Sequence, residues 1–395
     1  MNKIPLRAAI SLTLLASALT AASGRVDAQA QIVKPPRLTW ATEIVDGQKD
    51  VGYSSHIAIS GSDLHVVYFD NWNSALKYAK KTAAGWSVEQ IAKASGTAAG
   101  IAVDPAGNPH VSFVVASGGT YTLRHAAKIG GQWTVSNVDQ VAGLLIGESS
   151  IVVAANNSVH ISYRYGTQLK YAVNPTGSGT WSSMVVDGGA PLNKVTGRWS
   201  SIALDPAGRP CISYFNVTDS DLMFAQWTGS AWRRDIADFI GSVGTFTSLA
   251  MDAGGRPHIA YYDDSGMRIK YTTWGAGGVG DWLRNPTFGE IVDPTGRGAG
   301  SSIVLDRSGV PHIAYQGGAG PAFELRFATR TGPNAWRFEA IEGGGAGSGA
   351  SVAYDAAGLP HISYAFIAPS SAPTAILKHA TLVPVALPIF TRQRP

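Results

Sequence analysis

Cysteine and charge are both scarce in this chain. Cys211 is the single cysteine among 395 residues, so no disulfide can form within the chain. Charged residues make up only 15% of the sequence, and the formal net charge is +4. Nucleic-acid binding needs a dense basic face, which this balance does not supply, so we expect no nucleic-acid partner. A chain of this size without disulfides must be stable through its core alone.

The one extended apolar run lies at the N-terminus. Lys3 and Arg7 precede "AAISLTLLASALTAA", and the sequence at 28–30, "AQA", fits a small-residue cleavage site. This pattern is typical of a secretory signal peptide, and the run is too short for a membrane span. We therefore expect residues 1–30 to be removed and the mature protein to be secreted, periplasmic or held at the cell surface. The tail 383–395 is short and broken by proline, so we expect no membrane span.

A short motif recurs along the rest of the chain. "DPAGNPHVSF" (104–113) returns as "DPAGRPCISYF" (205–215), "DAGGRPHIAYY" (252–262), "DRSGVPHIAYQ" (306–316) and "DAAGLPHISYA" (355–365), with shorter copies at 60–69 and 155–164. The spacing between copies is 45 to 54 residues, which is typical of propeller blades and similar repeat units. The aligned position holds His65, His110, His160, Cys211, His258, His312 and His361.

Each repeat predicts four short strands. An apolar strand such as "SSIALD" leads into a D-x-x-G turn, and a second strand such as "PHISY" follows it. A third strand reads "LKYA" or a variant, and the fourth opens on a tryptophan. Glycine-rich turns separate the strands and no helical period appears, so the pattern predicts antiparallel blades. The fold class is therefore all-β, a seven-bladed β-propeller of four-stranded antiparallel blades.

The two ends of the chain complete each other. The seventh repeat stops after its third strand, "LKHATLV", whereas the N-terminal segment 38–46 reads as an isolated fourth strand. Trp40 lies 25 residues before His65, and Trp86 lies 24 residues before His110. We therefore predict that the strand Trp40–Asp46 pairs with Leu377–Leu382 and closes the ring, which removes exposed sheet edges. The propeller domain then spans residues 31–382.

On these repeats the chain resembles secreted bacterial seven-bladed propellers of the sialidase-like kind with BNR-type repeats. Locally, "SIALDPAGRPCISYF" followed by a short loop and "L-x-Y-A" is similar to the repeat of propeller polysaccharide lyases and their rhamnosidase relatives. The resemblance implies the fold but transfers no catalytic signature. The sialidase Asp-box, S-x-D-x-G-x-x-W, is not matched, because the turn here is one residue longer and lacks the Trp. The position of the lyase catalytic His holds Asp70, Val115, Tyr165, Asn216, Asp263, Gly317 and Phe366.

The repeated histidines and tryptophans are predicted to be structural. A catalytic group is normally needed once, whereas a residue present in every blade serves the blade. Cys211 supports this interpretation, because a thiol can fill a buried slot but cannot replace an imidazole as a base. We expect the histidines to pack between blades with a ring nitrogen hydrogen-bonded. The fourth-strand tryptophans are expected to pack in the same seams: Trp40, Trp86, Trp133, Trp181, Trp232, Trp282 and Trp336.

Function is expected where the repeat breaks. We define the variable face as the side of the disc that carries the blade-to-blade loops and the loops between second and third strands; the turn face carries the D-x-x-G turns. Loops on a rigid scaffold commonly carry function. The longest blade-to-blade loop, 187–201, brings Lys194, Arg198 and Trp199 to the variable face. Equivalent positions are Tyr53, Glu148, Phe246 and Arg297.

Nine residues form the predicted ligand site. Aromatic rings beside acids, amides and guanidinium groups suit a sugar, because its faces stack and its hydroxyls need paired donors and acceptors. His56 is included because it replaces a Ser or Gly of the other blades at the start of an inner strand. The set is Arg164, Tyr165, Arg198, Trp199, Asp263, Asp264, Asp70, Trp72 and His56.

Two classes of function fit this sequence. The first is an extracellular binding propeller for glycans or for an extracellular protein surface. The second is a propeller glycoside hydrolase or polysaccharide lyase, which needs an acid and a base that converge on one point. The six repeat histidines lie in six different blades and no D-x-D-x-D-G loop occurs, so we expect no metal site and no cofactor. We expect a monomer.

Overall fold

The computed structural model describes residues 37–94, 99–177, 180–275, 277–282, 289–296, 300–318, 323–369 and 374–385. The predicted signal peptide and most of the predicted C-terminal tail lie outside these ranges. The described residues form 28 β-strands arranged in seven four-stranded antiparallel sheets. None of these residues belongs to a helix that is long and apolar enough to cross a membrane.

The seven sheets are the predicted blades, in chain order. Blade 1 is β2 (Val51–Ser60), β3 (Asp63–Asp70), β4 (Ala75–Thr82) and β5 (Gly85–Lys93). Blade 2 is β6 (Ala99–Val103), β7 (Pro109–Ser117), β8 (Thr120–Ile129) and β9 (Gln132–Ala142). Blade 3 is β10 (Ile146–Val153), β11 (Val159–Tyr165), β12 (Gln168–Asn174) and β13 (Ser182–Asp187). Blade 4 is β14 (Arg198–Leu204), β15 (Pro210–Asn216), β16 (Asp221–Trp227) and β17 (Trp232–Asp238).

The remaining blades follow the same order until the last one. Blade 5 is β18 (Val243–Met251), β19 (Pro257–Asp263), β20 (Arg268–Thr273) and β21 (Glu290–Asp293). Blade 6 is β22 (Ser301–Leu305), β23 (Pro311–Gly317), β24 (Glu324–Gly332) and β25 (Ala335–Glu342). Blade 7 is β26 (Ala346–Tyr354), β27 (Pro360–Ile367), β28 (Ala375–Pro384) and the N-terminal strand β1 (Leu38–Asp46). The inner strands of successive blades adjoin one another around the ring, from β2 and β6 to β26 and back to β2.

The ring closes as the sequence predicts. In the antiparallel pairing of β1 with β28, Trp40 lies opposite Leu382 and Asp46 lies opposite Leu377. The pairing extends further than expected, since Leu38 lies opposite Pro384. Val383 and Pro384, the first two residues of the predicted tail, therefore belong to strand β28.

The aspartate of the D-x-x-G turn caps the turn by accepting hydrogen bonds from its backbone N–H groups. In blade 2 the carboxylate of Asp104 accepts hydrogen bonds from the backbone N–H groups of Ala106 (2.9 Å) and Asn108 (2.8 Å). Gly107 has φ of +84°, a left-handed conformation that favours glycine. The same capping recurs at Asp205, Asp252, Asp306 and Asp355. The turn therefore uses its acid to build the hairpin rather than to do chemistry.

The repeat histidines are buried, apart from the partly buried His361, and are hydrogen-bonded within their own blades. His258 Nδ1 lies 2.6 Å from the hydroxyl of Tyr271 on the third strand, and His65 makes the same contact with Tyr78 at 2.7 Å. Burial lowers the pKa of His65 to about 4, so its ring is neutral near pH 7. These contacts support the structural interpretation of the repeat position. Cys211 occupies the slot in blade 4, where burial raises the pKa of its thiol to about 12.

We expect the substitution His258→Cys to lower stability without affecting ligand binding. The thiol already fills the equivalent slot at Cys211, but it cannot reach the Tyr271 hydroxyl, so that buried group loses its partner. The loss in the free energy of unfolding should fall within ~0.5–3 kcal/mol. Chemical denaturation measures this loss. A folded variant that no longer binds ligand would show that the repeat position belongs to a site.

The fourth-strand tryptophans lock neighbouring blades together. Each indole packs edge-on against the third-strand ring of the preceding blade, with ring centroids 5.2–5.6 Å apart. Aromatic pairs in this geometry add stabilisation beyond the area that they bury. Trp282 pairs with Trp274, the residue after the third strand, in an isolated antiparallel bridge, as Trp232 pairs with Trp227 in blade 4. Residues 283–288, which separate Trp282 from the first residue of β21, Glu290, lie outside the described ranges.

A second set of contacts joins neighbouring blades at six of the seven interfaces between blades, which we call seams. An acid at the end of each fourth strand accepts a hydrogen bond from a second-strand Tyr of the next blade and pairs with a cation of that blade. In the blade 4–5 seam these are Asp238, Tyr261 (2.6 Å) and Lys270 (2.5 Å). The other acids are Asp46, Asp139, Asp187, Asp293 and Glu342. The blade 1–2 seam has Phe113 in place of the Tyr.

Glu43 makes ring closure sensitive to acid. Its carboxylate accepts a hydrogen bond from His379 Nδ1 at 2.7 Å and pairs with Lys81. The hydrogen bond from His379, with further help from Lys81, lowers the pKa of Glu43 from 4.5 to about 2 despite partial burial. A depressed carboxyl pKa stabilises the fold above its unfolded value, and this contribution disappears as the pH falls from 4.5 toward 2.

We expect Glu43→Gln to be less stable than the wild type near pH 7, with the difference shrinking as the pH falls below 4.5. The amide cannot ionise, so it lacks the pH-dependent contribution of the carboxylate. Thermal melts of both proteins across this pH range measure the difference. A difference that stays constant down to the acid limit would contradict the assignment.

Candidate functional site

A cavity of about 580 Å³ lies on the propeller axis in the described structure. All seven inner strands line the cavity with residues at or near their first positions. Because the propeller axis is the one place that all seven strands adjoin, the cavity lies on that axis. These strand starts follow the blade-to-blade loops, so the cavity opens on the variable face. Its lining comprises Tyr53, Ser54, Ser55, His56, Asn71, Ala99, Glu148, Ser149, Arg198, Trp199, Phe246, Thr247, Gly300, Ser301, Ser348, Gly349 and Ala350.

His56 departs from a ring of hydroxyls that joins the inner strands. In five blades the equivalent residue is a serine whose Oγ accepts a hydrogen bond from a backbone N–H of the next blade, at 3.1–3.2 Å. These serines are Ser150, Ser201, Ser248, Ser302 and Ser351. Blade 2 has Gly100 at this position and blade 1 has His56. The sequence alignment of His56 with a Ser or Gly is therefore confirmed by the strand register.

The side chain of His56 is exposed and lines the cavity. It forms no hydrogen bond with any residue that the structure describes. Burial within the ring lowers the pKa of His56 to about 4, so the ring is neutral near pH 7. A neutral imidazole with no protein partner is free to accept or donate a hydrogen bond to a ligand.

Blades 3 and 4 supply a charged wall. The Nε and Nη2 atoms of Arg198 each lie 3.4 Å from Oε1 of Glu148, a long charge-assisted contact. The guanidinium also lies 4.0 Å above the ring of Trp199, which fixes its plane. Arg164 is near this pair: burial lowers its pKa, and the charge of Arg198 lowers it further. Two guanidinium groups thus accompany one carboxylate at this wall.

An aromatic wall continues from Trp199 into blade 5. Its ring centroid lies 4.9 Å from that of Phe246 and 5.6 Å from that of Phe215. Trp199 and Phe246 both line the cavity, so one side of the site is apolar and the opposite side carries His56 and Tyr53. Burial, and next the charge of Asp50, raises the pKa of Tyr53, which keeps its hydroxyl protonated.

Two acids of the predicted site instead form hydrogen bonds within their own loops. Asp70 is buried, caps the turn at Asn73 N (2.8 Å) and lies 3.1 Å from Lys77 Nζ. Asp263 is also buried, and its carboxylate bonds Gly266 N and Arg268 Nε. Neither lines the cavity in the described structure.

The other predicted residues lie around the cavity rather than in it. Asp264 accepts a hydrogen bond from Thr245 (2.9 Å), Tyr165 lies under Lys170 (4.1 Å), and Trp72 is 64% exposed beneath Lys49. Of the nine predicted site residues, the cavity brings together His56, Arg198 and Trp199, with Arg164 adjacent.

The cavity also collects residues that the predicted set omitted. Tyr53, Glu148 and Phe246 are aligned with the predicted loop residues, and that alignment was the signal that could have placed them in the site. Arg297, aligned with them, lies outside the described residues. Glu148 is the sole carboxylate in the described lining. Across the described ranges, no group of three His, Cys, Asp or Glu side chains could hold a metal ion.

Known structures share this fold at low sequence identity. An ulvan-degrading polysaccharide lyase bound to an oligosaccharide of glucuronic acid and sulfated rhamnose is 12% identical, with a TM-score of 0.59, over 85% of this chain and 93% of that chain. A variant α-L-arabinofuranosidase from Fusarium graminearum, in complex with an iminosugar inhibitor, is 12% identical with a TM-score of 0.50, over 87% and 98%. A leech intramolecular trans-sialidase is 11% identical with a TM-score of 0.47, over 86% and 68%.

The lyase structure confirms the expected resemblance to polysaccharide-lyase propellers at the level of the fold. No family model matches the chain, and no curated protein matches its sequence.

Proposed function

We propose that this protein binds a glycan in the axial cavity of its variable face. The observation that carries the proposal is the convergence of His56, Tyr53, Arg198 and Glu148 with two aromatic rings in one concave space. Small-ligand pockets commonly measure about 300–1,000 Å³ and place a few polar groups on an apolar wall. A sugar matches this lining, because it has apolar ring faces and hydroxyls that both donate and accept.

A glycan fits the cavity better than a protein surface does. The polar groups lie inside a concavity, where a flat protein partner would leave them without hydrogen bonds. The fold neighbour with the higher TM-score is bound to an oligosaccharide, which supports a carbohydrate ligand by analogy of fold alone.

A second candidate function is the elimination reaction of a polysaccharide lyase. His56 is neutral near pH 7 and has no protein partner, so it can take a proton from the carbon beside a uronate carboxyl group. Arg198 can neutralise that carboxyl group while the C–O bond to the next sugar breaks. The leaving oxygen then takes a proton from the His56 imidazolium or from water, and an unsaturated uronate remains. Hydrolysis by paired carboxylates has less support, because Glu148 is the one carboxylate in the described lining.

We also propose that the chain is exported and acts as a monomer. The support is the N-terminal run with its basic flank and the cleavage motif at 28–30. Mass spectrometry of the protein from its native host should find an N-terminus at Gln31. Light scattering should then give the mass of one chain, and a defined oligomer would contradict the monomer.

One experiment separates binding from catalysis. A glycan array identifies the ligand of the wild type, and calorimetry follows it with Arg198→Ala and His56→Ala. Binding should weaken in Arg198→Ala by at least about fivefold in Kd. If the protein is a lyase, ultraviolet absorbance should detect unsaturated uronate with the wild type and not with a His56→Ala variant that still binds. A wild type that binds no glycan would contradict the proposal.

A further inference from the structure

One backbone position at the rim of the cavity is left-handed in five blades. The chain reaches each inner strand through this residue, two positions before the ring of serines that includes Ser201. Its φ values run from +49° to +95°. The residues are Ser54, Trp199, Phe246, Gly300 and Gly349.

In these five blades the conformation accompanies a hydrogen bond or a register shift at the start of the inner strand; blade 3, with Glu148 at this position, forms without it. The pairing register of the first two strands shifts at this point, as between Arg198 and Ser201. The carbonyl oxygen of the left-handed residue then accepts a hydrogen bond from a hydroxyl of the next blade. The Trp199 oxygen accepts from Thr247 (3.3 Å) and the Phe246 oxygen accepts from Ser301 (3.2 Å). The same bond joins blades 7 and 1, where Ser55 donates to Gly349 (3.2 Å).

The fold does not need a side chain at this position. Glycine occupies it in blades 6 and 7 as Gly300 and Gly349, and glycine adopts positive φ without a steric penalty. A bulky residue in this conformation is a steric outlier, and such outliers cluster at functional sites. The two adjacent blades that nevertheless carry aromatic residues here are blades 4 and 5, and both rings line the cavity. Folding alone therefore does not account for Trp199 and Phe246.

The two rings are not equally free. The Arg198 guanidinium covers the Trp199 ring, which also packs against Phe215 and Phe246. Among described residues the one ring contact of Phe246 is with Trp199. We propose that Phe246 is the stacking surface for the apolar face of a sugar ring, that Trp199 supports it, and that the unfavourable backbone is kept for this contact. The inference rests on the proposed glycan function and adds its specificity-determining residue.

Two variants separate backbone strain from ring contact. Phe246→Ala removes the ring and keeps a Cβ in the left-handed backbone, whereas Phe246→Gly removes both. We expect Phe246→Gly to melt at or above the wild-type temperature and Phe246→Ala to melt below Phe246→Gly. Both should bind at least about fivefold more weakly than the wild type. Phe338→Ala is the matched control, because Phe338 is a partly exposed aromatic on the outer strand β25 and should not affect binding.

The probes are an oligosaccharide of glucuronic acid and sulfated rhamnose, and neutral cellohexaose, each titrated by calorimetry. Unchanged affinity in Phe246→Gly overturns the inference and leaves the glycan function standing. A wild type that binds neither probe counts against the glycan function and against the inference that rests on it. If Phe246→Gly unfolds clearly below the wild type, Phe246 is a packing residue and the inference fails whatever the probes do.

Discussion

A chain that lacks residues 31–47 should lose cooperative folding. Strand β1 supplies the fourth strand of blade 7, and Asp46 at its end lies 2.9 Å from Lys77 Nζ and 2.7 Å from the Tyr68 hydroxyl of blade 1. Its removal exposes the edge of β28 and leaves the partly buried Lys77 with one acid partner fewer. Together with the lost packing of Trp40 on Phe327, this should cost at least about 4 kcal/mol.

A permuted chain is the control for this deletion. Leu38 lies opposite Pro384, so residues 38–47 can be joined after Pro384 through a short turn and still reach their place in blade 7. We expect this chain to recover most of the lost stability, as measured by denaturant unfolding and by sedimentation. A deletion variant that stays monomeric and melts like the wild type would contradict closure through β1.

The second large effect is expected at the seam between blades 4 and 5. Lys270 and Asp238 are both almost fully buried, and Nζ lies 2.5 Å from Oδ2. Asp238→Asn removes the negative charge and leaves the ammonium group buried without its counter-ion. Breaking a buried pair from one side costs ~3–5 kcal/mol, because the remaining charge is uncompensated. We expect a loss of this size in the free energy of unfolding.

Two controls distinguish a buried charge from a general effect of charge. Blade 4 has Met223 at the position of Lys270, so the double substitution Asp238→Asn with Lys270→Met should recover a large part of the loss. The pair Lys80–Asp63 has a similar distance, 2.8 Å, but each side chain is 36% exposed. Asp63→Asn should therefore change stability by less than ~1 kcal/mol. Equal losses at the two sites would show that burial does not set the effect.

The architecture could be predicted because its signals repeat. Seven copies of one turn and strand determine the blade number, and the unpaired Trp40 segment indicates which end supplies the missing strand. The repeated His position was also interpretable, since a group present six times in six blades has no single reaction centre. Trp282 does not give the start of β21, because the sequence from Trp282 to Asp293 is five residues longer than the equivalent sequence from Trp232 to Asp238.

The residues of the site were harder to predict than the fold, because contacts between residues far apart in the sequence determine which side chains meet in the cavity. The alignment places Asp70 and Asp263 on the variable face, but it cannot show that each carboxylate accepts a hydrogen bond from a backbone N–H of its own turn. Arg198 and Glu148 are 50 residues apart and meet only through neighbouring inner strands. The left-handed backbone at Trp199 and Phe246 has no sequence signal apart from the glycines that replace them in other blades.

The claim that the ligand binds in the axial cavity is tested most directly by filling the cavity with a large side chain. Ser348 lines the cavity from blade 7, is partly exposed, and has no left-handed φ that would strain a larger residue. The measurement is a calorimetric titration of Ser348→Trp with the glycan that the wild type binds, after a melt has shown that the variant is folded. We predict a loss of affinity of at least about tenfold with an unchanged melting temperature. Wild-type affinity in a folded Ser348→Trp protein would contradict a ligand site on the propeller axis.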